Sequence, residues 1–160
     1  MKEASLSIIK DIKNNRFLMI RHHRGINEGY VNFPGGKKEE SDEDMVACVK
    51  RETIEETGLK ILNPKFVGYM EFPPMDFKVY AYLSTEFEGE ISPKKDEVDV
   101  FWQPADDIPY DKMRTADADF LPEILAGKIV QKRYFYAKDG SLEKIEEIPS
   151  QTPNLNTRTR

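Results

Sequence analysis

The order of strand-like and helix-like segments predicts an α/β fold built on a mixed sheet. Three observations carry that prediction. A β-prone hairpin opens the chain, an acid-rich segment of helical period follows a glycine-rich loop, and further strand candidates flank a second helical segment before a closing hairpin.

Taken in order, Ser5–Ile12 and Arg16–Arg21 are short β-prone runs, and Lys13-Asn14-Asn15 between them suits a tight turn. His22 to Gly36 is rich in Gly, Asn and Pro and is expected to be a long loop ending in Phe33-Pro34-Gly35-Gly36. Ser41 followed by Asp44 resembles a capping box, so a helix is expected from about Asp42 to Thr57, closed by Gly58 as a left-handed cap. Strands are expected over Phe66–Glu71, Phe77–Thr85 and Val98–Gln103, the second alternating Phe77, Val79, Ala81 and Leu83 on one face. Pro104 to Ile108 reads as a turn, and Ala118 to Leu125 as a helix stopping before Gly127. Ile129–Ala137 and Leu142–Ile148, joined through Asp139-Gly140, form a hairpin. One domain over residues 1–148 is expected, with 149–160 a loose tail that has little to bury.

A chain of 160 residues can bury a core without disulfide or metal staples. The net charge of -5 argues against a broad grip on a nucleic acid backbone, yet leaves room for a small phosphorylated ligand held by local cations and a divalent metal. The single Cys48 excludes an internal disulfide and is expected to be inert filler in the helix. No apolar run approaches the roughly 20 residues of a membrane span, and the start lacks the layout of a signal peptide, so a cytoplasmic location is expected.

The chemistry is concentrated in Gly35-Gly36 and in Arg51-Glu52-Thr53-Ile54-Glu55-Glu56-Thr57-Gly58-Leu59. Glu52, Glu55 and Glu56 stand at i, i+3 and i+4 and therefore share a helix face, where like charges repel and call for a positive partner. Along that face Val49, Cys48 and Met45 form an apolar stripe, so the carboxylates continue a core-facing row rather than an open solvent face. Hard oxygen donors at such a cleft edge suit Mg²⁺ or Mn²⁺. The glycines allow backbone atoms to approach a metal or phosphate closely. Arg51 is placed to hold a carboxylate in a bidentate contact.

This stretch resembles the Nudix box. Arg51, Glu52, Glu55, Glu56, Gly58 and Leu59 match its helical half, Thr53 stands in an apolar slot, and Gly36 opens it. From Gly36 the box's first acid falls on Asp42, whereas counting back from Arg51 it falls on Glu43, as if one residue had been inserted in the loop. The resemblance implies an α/β/α sandwich with a mixed sheet and a loop-helix-loop motif. It also implies that Glu52, Glu55 and Glu56, with the Gly36 carbonyl, bind divalent ions that bridge a pyrophosphate attacked by water. Glu52 is the first candidate to orient or deprotonate that water, and Glu97 the second.

Outside the box the chain is similar to the MutT-like enzymes for oxidised purine nucleoside triphosphates. Asn32 and the run Asp96-Glu97, Trp102, Asp106-Asp107-Ile108-Pro109-Tyr110 and Met113 carry this likeness. It implies that Asn32 contacts a purine, for which an amide offers both donor and acceptor; Asn32 would equally serve as a turn residue. Where the animal enzymes stack the base on Trp before Pro and two Asp, this chain has Arg114-Thr115-Ala116-Asp117. An arginine also stacks on a base, and Asp117 is a candidate for the purine edge. Gly35, Lys37, Arg21 and Arg24 are candidates for phosphate contacts or plain surface. His22 and His23, adjacent in a strand, point to opposite faces and are not expected to form a metal pair. The expected partner is a nucleotide, with no nucleic acid or membrane, and the expected state is monomer or homodimer. Alternatives are a Nudix hydrolase for ADP-ribose or a dinucleoside polyphosphate, and a non-catalytic nucleotide sensor.

Overall fold

The computed structural model describes residues 1–94 and 96–149. The hairpin forms where the turn residues place it: β1 (Lys2–Asp11) returns as β2 (Arg16–His22), with Asn15 in the left-handed region at φ 49°. The expected loop 22–36 is more ordered than its composition suggests, because two short strands condense from it. β3 (Val31–Asn32) pairs with β2, and β4 (Gly35–Lys37) pairs with β1.

The first helix, α1 (Met45–Thr57), starts later than the capping-box reading placed it. Asp44 caps it by accepting from the Ala47 amide at 2.8 Å, and Asp42 is drawn off to a different partner described below. Gly58 ends the helix at φ 85° as expected, and Ser92 packs so close that a Cβ there would lie 2.6 Å from its carbonyl oxygen. β5 (Lys60–Leu62) and β8 (Glu86–Glu88) form a two-stranded ribbon too short to show a period in the sequence. β6 (Lys65–Phe72), β7 (Phe77–Ser84) and β9 (Val98–Pro104) match the three expected strands. The second helix, α2 (Thr115–Leu125), begins directly after Arg114, earlier than expected. β10 (Val130–Tyr136) and β11 (Leu142–Glu147) complete the terminal hairpin. Of the expected tail, residues 150–160 lie outside the described residues.

The sheet runs β11-β10-β6-β7-β1-β2-β3, with β4 on β1 and β9 on β2, and it is mixed, since β1 pairs with β7 and β10 with β6 in parallel. Alternation along the strands feeds two cores. Leu6, Ile8, Met19, Ala81 and Met70 join Phe120, Leu121 and Ile124 of α2, whereas Ile9, Leu18, Tyr80 and Tyr82 join Met45, Cys48 and Val49 of α1. The expected stripe Phe77, Val79, Ala81 and Leu83 lies wholly with the first cluster. The result is an α/β/α sandwich, with α1 held to β1 and β4 at the glycines.

Phe120 is 1 % exposed and packs on Tyr134 at a centroid distance of 6.0 Å, so it anchors α2 to the sheet. Phe120→Ala is expected to lower unfolding free energy by about 3–5 kcal/mol, measured as a shift of the urea midpoint at unchanged slope.

Candidate functional site

The site is assembled where β4 meets α1. Gly35 and Gly36 pair with Leu6 and Ser5 of β1. Neither glycine is needed for a positive φ; both are needed for close approach. A Cβ on Gly35 would lie 2.0 Å from the Ser5 carbonyl oxygen, and one on Gly36 would lie 2.3 Å from the carboxyl carbon of Glu52. Glu56 reaches the same segment, its Oε1 accepting from the Gly35 amide at 2.7 Å. Glu52 and Glu56 therefore converge on two consecutive glycines.

Arg51 supplies the positive partner that the acidic face calls for. Its Nε and Nη2 each lie 2.8 Å from a different oxygen of Asp42, a bidentate contact. Its Nη1 lies 3.3 Å from Glu52, 3.2 Å from Glu55 and 3.3 Å from Glu39, and Nη2 also donates to the Lys37 carbonyl at 3.0 Å. Asp42 is buried, and the Arg51 bonds hold its carboxyl below the usual carboxylate range. Glu43 is exposed. Of the two acids left open by the count, Asp42 is the one that Arg51 holds, while Asp44 caps α1.

Thr53, in a slot expected to be apolar, is fully buried yet satisfied: its hydroxyl lies 2.8 Å from Ser7 Oγ and 2.6 Å from the Val49 carbonyl. The β1 surface beneath α1 is itself polar at Ser5 and Ser7, so the hydroxyl matches its neighbour. Burial pushes the Cys48 thiol up to about 11, which keeps it protonated and inert, in line with its reading as filler.

Other candidates lie on adjoining elements. Glu97 is exposed ahead of β9, where its carbonyl accepts from the His23 amide at 3.3 Å and its carboxylate raises the His22 pKa against the larger effect of burial, which lowers it. The loop leading to it is tied to the end of α1 by Ser92 and Lys94 amides donating to the Thr57 and Glu55 carbonyls. Arg21 is half exposed, lies 3.6 Å from Asp99, and lines a cleft of about 300 Å³ with Phe101 and Lys112. Arg24 faces Asp96. His22 is half-buried, while His23 is turned to Asp96 and Asp99, so the two do not form a pair. Lys37 is exposed.

Asn32, at the end of β3, accepts the Phe33 amide on Oδ1 at 2.7 Å, so that oxygen is already bound to the local backbone. Asp117, in the first turn of α2, is partly exposed, yet its carboxyl is desolvated and its pKa is pushed up to about 7, opposed only by Arg114. The Arg114 guanidinium already faces one aromatic ring, lying 3.9 Å from the Tyr30 ring centroid. Tyr30 and Tyr136 were not legible as site residues, since a lone aromatic in a loop or strand reads as core. The Tyr136 hydroxyl accepts from the Ala116 amide at 2.8 Å and feels Asp117, Arg114 and Tyr30, so the four side chains form one cluster.

Comparison with known proteins identifies the family to which the chain belongs. A NUDIX domain model matches residues 1–124. The 8-oxo-dGTP diphosphatase of Buchnera aphidicola subsp. Schizaphis graminum is 32 % identical over 114 residues, 69 % of this chain and 84 % of that protein. The oxidized purine nucleoside triphosphate hydrolase of Danio rerio is 31 % identical over 129 residues, 77 % of this chain and 80 % of that protein. Among solved structures, a MutT protein from Bacillus halodurans superposes with a TM-score of 0.76 at 23 % identity, covering 94 % of this chain and 99 % of that one.

The Arg51–Asp42 contact has a defined pH signature. Because the folded carboxyl titrates below its unfolded value, the stability it gives is present above about pH 4 and is lost as pH falls through the lowered value. Asp42→Asn is expected to be less stable than the parent at neutral pH, with the two urea midpoints converging in acid as pH falls through the lowered Asp42 value. Glu43→Gln is expected to match the parent throughout. Equal effects of the two changes would return the role to Glu43.

Proposed function

Since this chain belongs to the Nudix hydrolase family, we propose that it hydrolyses a nucleoside triphosphate, an oxidised purine such as 8-oxo-dGTP, to the monophosphate and pyrophosphate. The observation that carries the reading is the convergence of Glu52 on Gly36 and of Glu56 on Gly35. Two relatives above 30 % identity act on such nucleotides by name, which supports the substrate class.

A divalent ion, Mg²⁺ or Mn²⁺, fits the donor set: three carboxylates and the Gly36 carbonyl are hard oxygen donors at one corner of the sheet. Those carboxylates turn to Arg51 and the Gly35 amide, and among the described residues no three acidic, imidazole or thiol groups form a ready cage. Gly36, Glu52, Glu55 and Glu56 would hold the ion. When bound, it would offset phosphate charge and lower the pKa of bound water.

The residues themselves do the rest. Water attacks phosphorus, the bond to the bridging oxygen breaks, and the proton leaves toward a carboxylate, for which Glu52 is the first candidate and Glu97 the second. Arg51 fixes the direction of Glu52 and Glu55 while its own bonds to Asp42 keep it in place. At the base end, the Asn32 amide nitrogen and the Asp117 carboxyl supply polar groups for a purine edge, and Arg21 and Lys37 add positive charge for phosphate. We read residues 1–148 as the domain that carries this activity, acting in the cytoplasm as monomer or homodimer and without nucleic acid or membrane. No helix among the described residues is long and apolar enough to cross a membrane.

Glu52→Gln and Glu56→Gln are each expected to lower kcat at least about a hundredfold with saturating Mg²⁺ while leaving the melting temperature unchanged or raised, since each removes charge from a repelling cluster. The assay resolves products by chromatography; near-full activity in either variant, or release of inorganic phosphate alone, would overturn the reading.

Asp117 gives a second test. Its carboxyl, neutral below about 7, both donates and accepts, and on ionising it loses its donor. KM for the purine triphosphate is expected to rise as pH climbs through 7, with kcat little changed, and Asp117→Asn is expected to flatten that dependence. The folded carboxyl titrates above its unfolded value, so the protein is expected to lose stability as pH rises from about 4 to about 7, where burial penalises the charged form.

A further inference from the structure

Residues 25–29, between β2 and β3, form a loop that packs against very little. Gly25 and Gly29 bracket it at φ 83° and 85°, and a Cβ at either would meet nothing within 4 Å, so both serve the turn conformation and not packing. Ile26 at its tip is 91 % exposed. Its backbone bonds stay local: the Glu28 amide donates to Gly25, that of Tyr30 to Asn27 and that of Gly29 to His22.

Among the described residues, the hydrogen bonds that tie this loop to anything beyond β2 come from a single side chain. Arg114 Nη2 donates to the Ile26 carbonyl at 3.2 Å and to Asn27 Oδ1 at 2.7 Å, while the guanidinium plane covers the Tyr30 ring. Arginine alone among the cations combines a planar stacking face with a fork of donors. The loop runs straight into Asn32 and the two glycines, and Arg114 opens the helix that carries Asp117. The contact therefore joins the two segments that bound the base end of the site.

We propose that Arg114 is a positioning residue, a clasp that fastens the 25–29 loop to the start of α2 and thereby sets the spacing of the nucleobase pocket. The clasp itself is a property of the loop; its consequence for a purine nucleotide rests on the function proposed above. Arg114 touches neither the phosphate end nor the reacting atoms.

The test couples hydrogen exchange in the free protein to kinetics. In Arg114→Ala and Arg114→Lys, the amides of Glu28, Gly29 and Tyr30 are expected to exchange at least about tenfold faster, with Asn27→Ala giving a smaller increase. KM for a purine nucleoside triphosphate is expected to rise about tenfold with kcat within about twofold. Inhibition by inorganic pyrophosphate, which has no base, is expected to stay the same. Unchanged exchange in both Arg114 variants overturns the clasp, and faster exchange with unchanged KM overturns its role in the pocket. A wild type that turns over no nucleoside triphosphate overturns the substrate reading instead, while the exchange rates still decide the clasp.

Discussion

Four carboxylates around one guanidinium are the constraint on which the rest of this site depends. Glu39, Asp42, Glu52 and Glu55 all lie within 3.3 Å of Arg51 nitrogens. Carboxylates gathered on one helix face repel, and the repulsion grows as water is excluded. Arg51 offsets it, and because it is planar it does so directionally, gripping Asp42 with two nitrogens and leaving Nη1 for the glutamates. Removing the Arg51 charge would weaken the compensation of a half-buried acidic row, a costly change. The same contact orders the segment from Lys37 to Asp42, since Arg51 also binds the Lys37 carbonyl.

Close approach is the second requirement, and it couples the site to the sheet. β4 lies flush on β1 only because Gly35 has no side chain, and Glu52 lies flush on β4 only because Gly36 has none. α1 must in turn sit low on β1, which its buried face allows: Val49 and Cys48 are fully buried and Thr53 meets Ser7 through hydroxyls. A larger apolar residue at Thr53 would fill the slot but leave the Ser7 hydroxyl facing hydrocarbon. The core and the chemistry are thus one packing problem on this face of the sheet.

The opposite helix is built on different terms. α2 buries Phe120, Leu121 and Ile124 against Tyr134 and Gly68, and its first turn is left to polar groups. Arg114, Asp117, Tyr30 and Tyr136 collect there, with Arg114 over the Tyr30 ring and Asp117 a desolvated carboxyl. Arg114 thus turns its planar group and donors to Tyr30, Ile26 and Asn27 of the chain's own 25–30 segment.

By itself the sequence determined the succession of the longer strand segments and the two helices along the chain, the acidic face with its apolar continuation and the glycine pair, because each is a local matter of period, turn chemistry or spacing. It left open which acid Arg51 would hold, since a count from Gly36 and a count from Arg51 disagree by one residue. Only the folded loop, with Asp42 buried and Glu43 exposed, decides between them. The ribbon of β5 and β8 and the short strands β3 and β4 were equally hidden, for two or three residues carry no period and are fixed by their partners. Nor could the sequence show Arg114 reaching Ile26 and Asn27, residues 88 and 87 positions away. Contacts between distant positions exist only once the sheet has brought their strands together, and that is what tertiary structure alone decided.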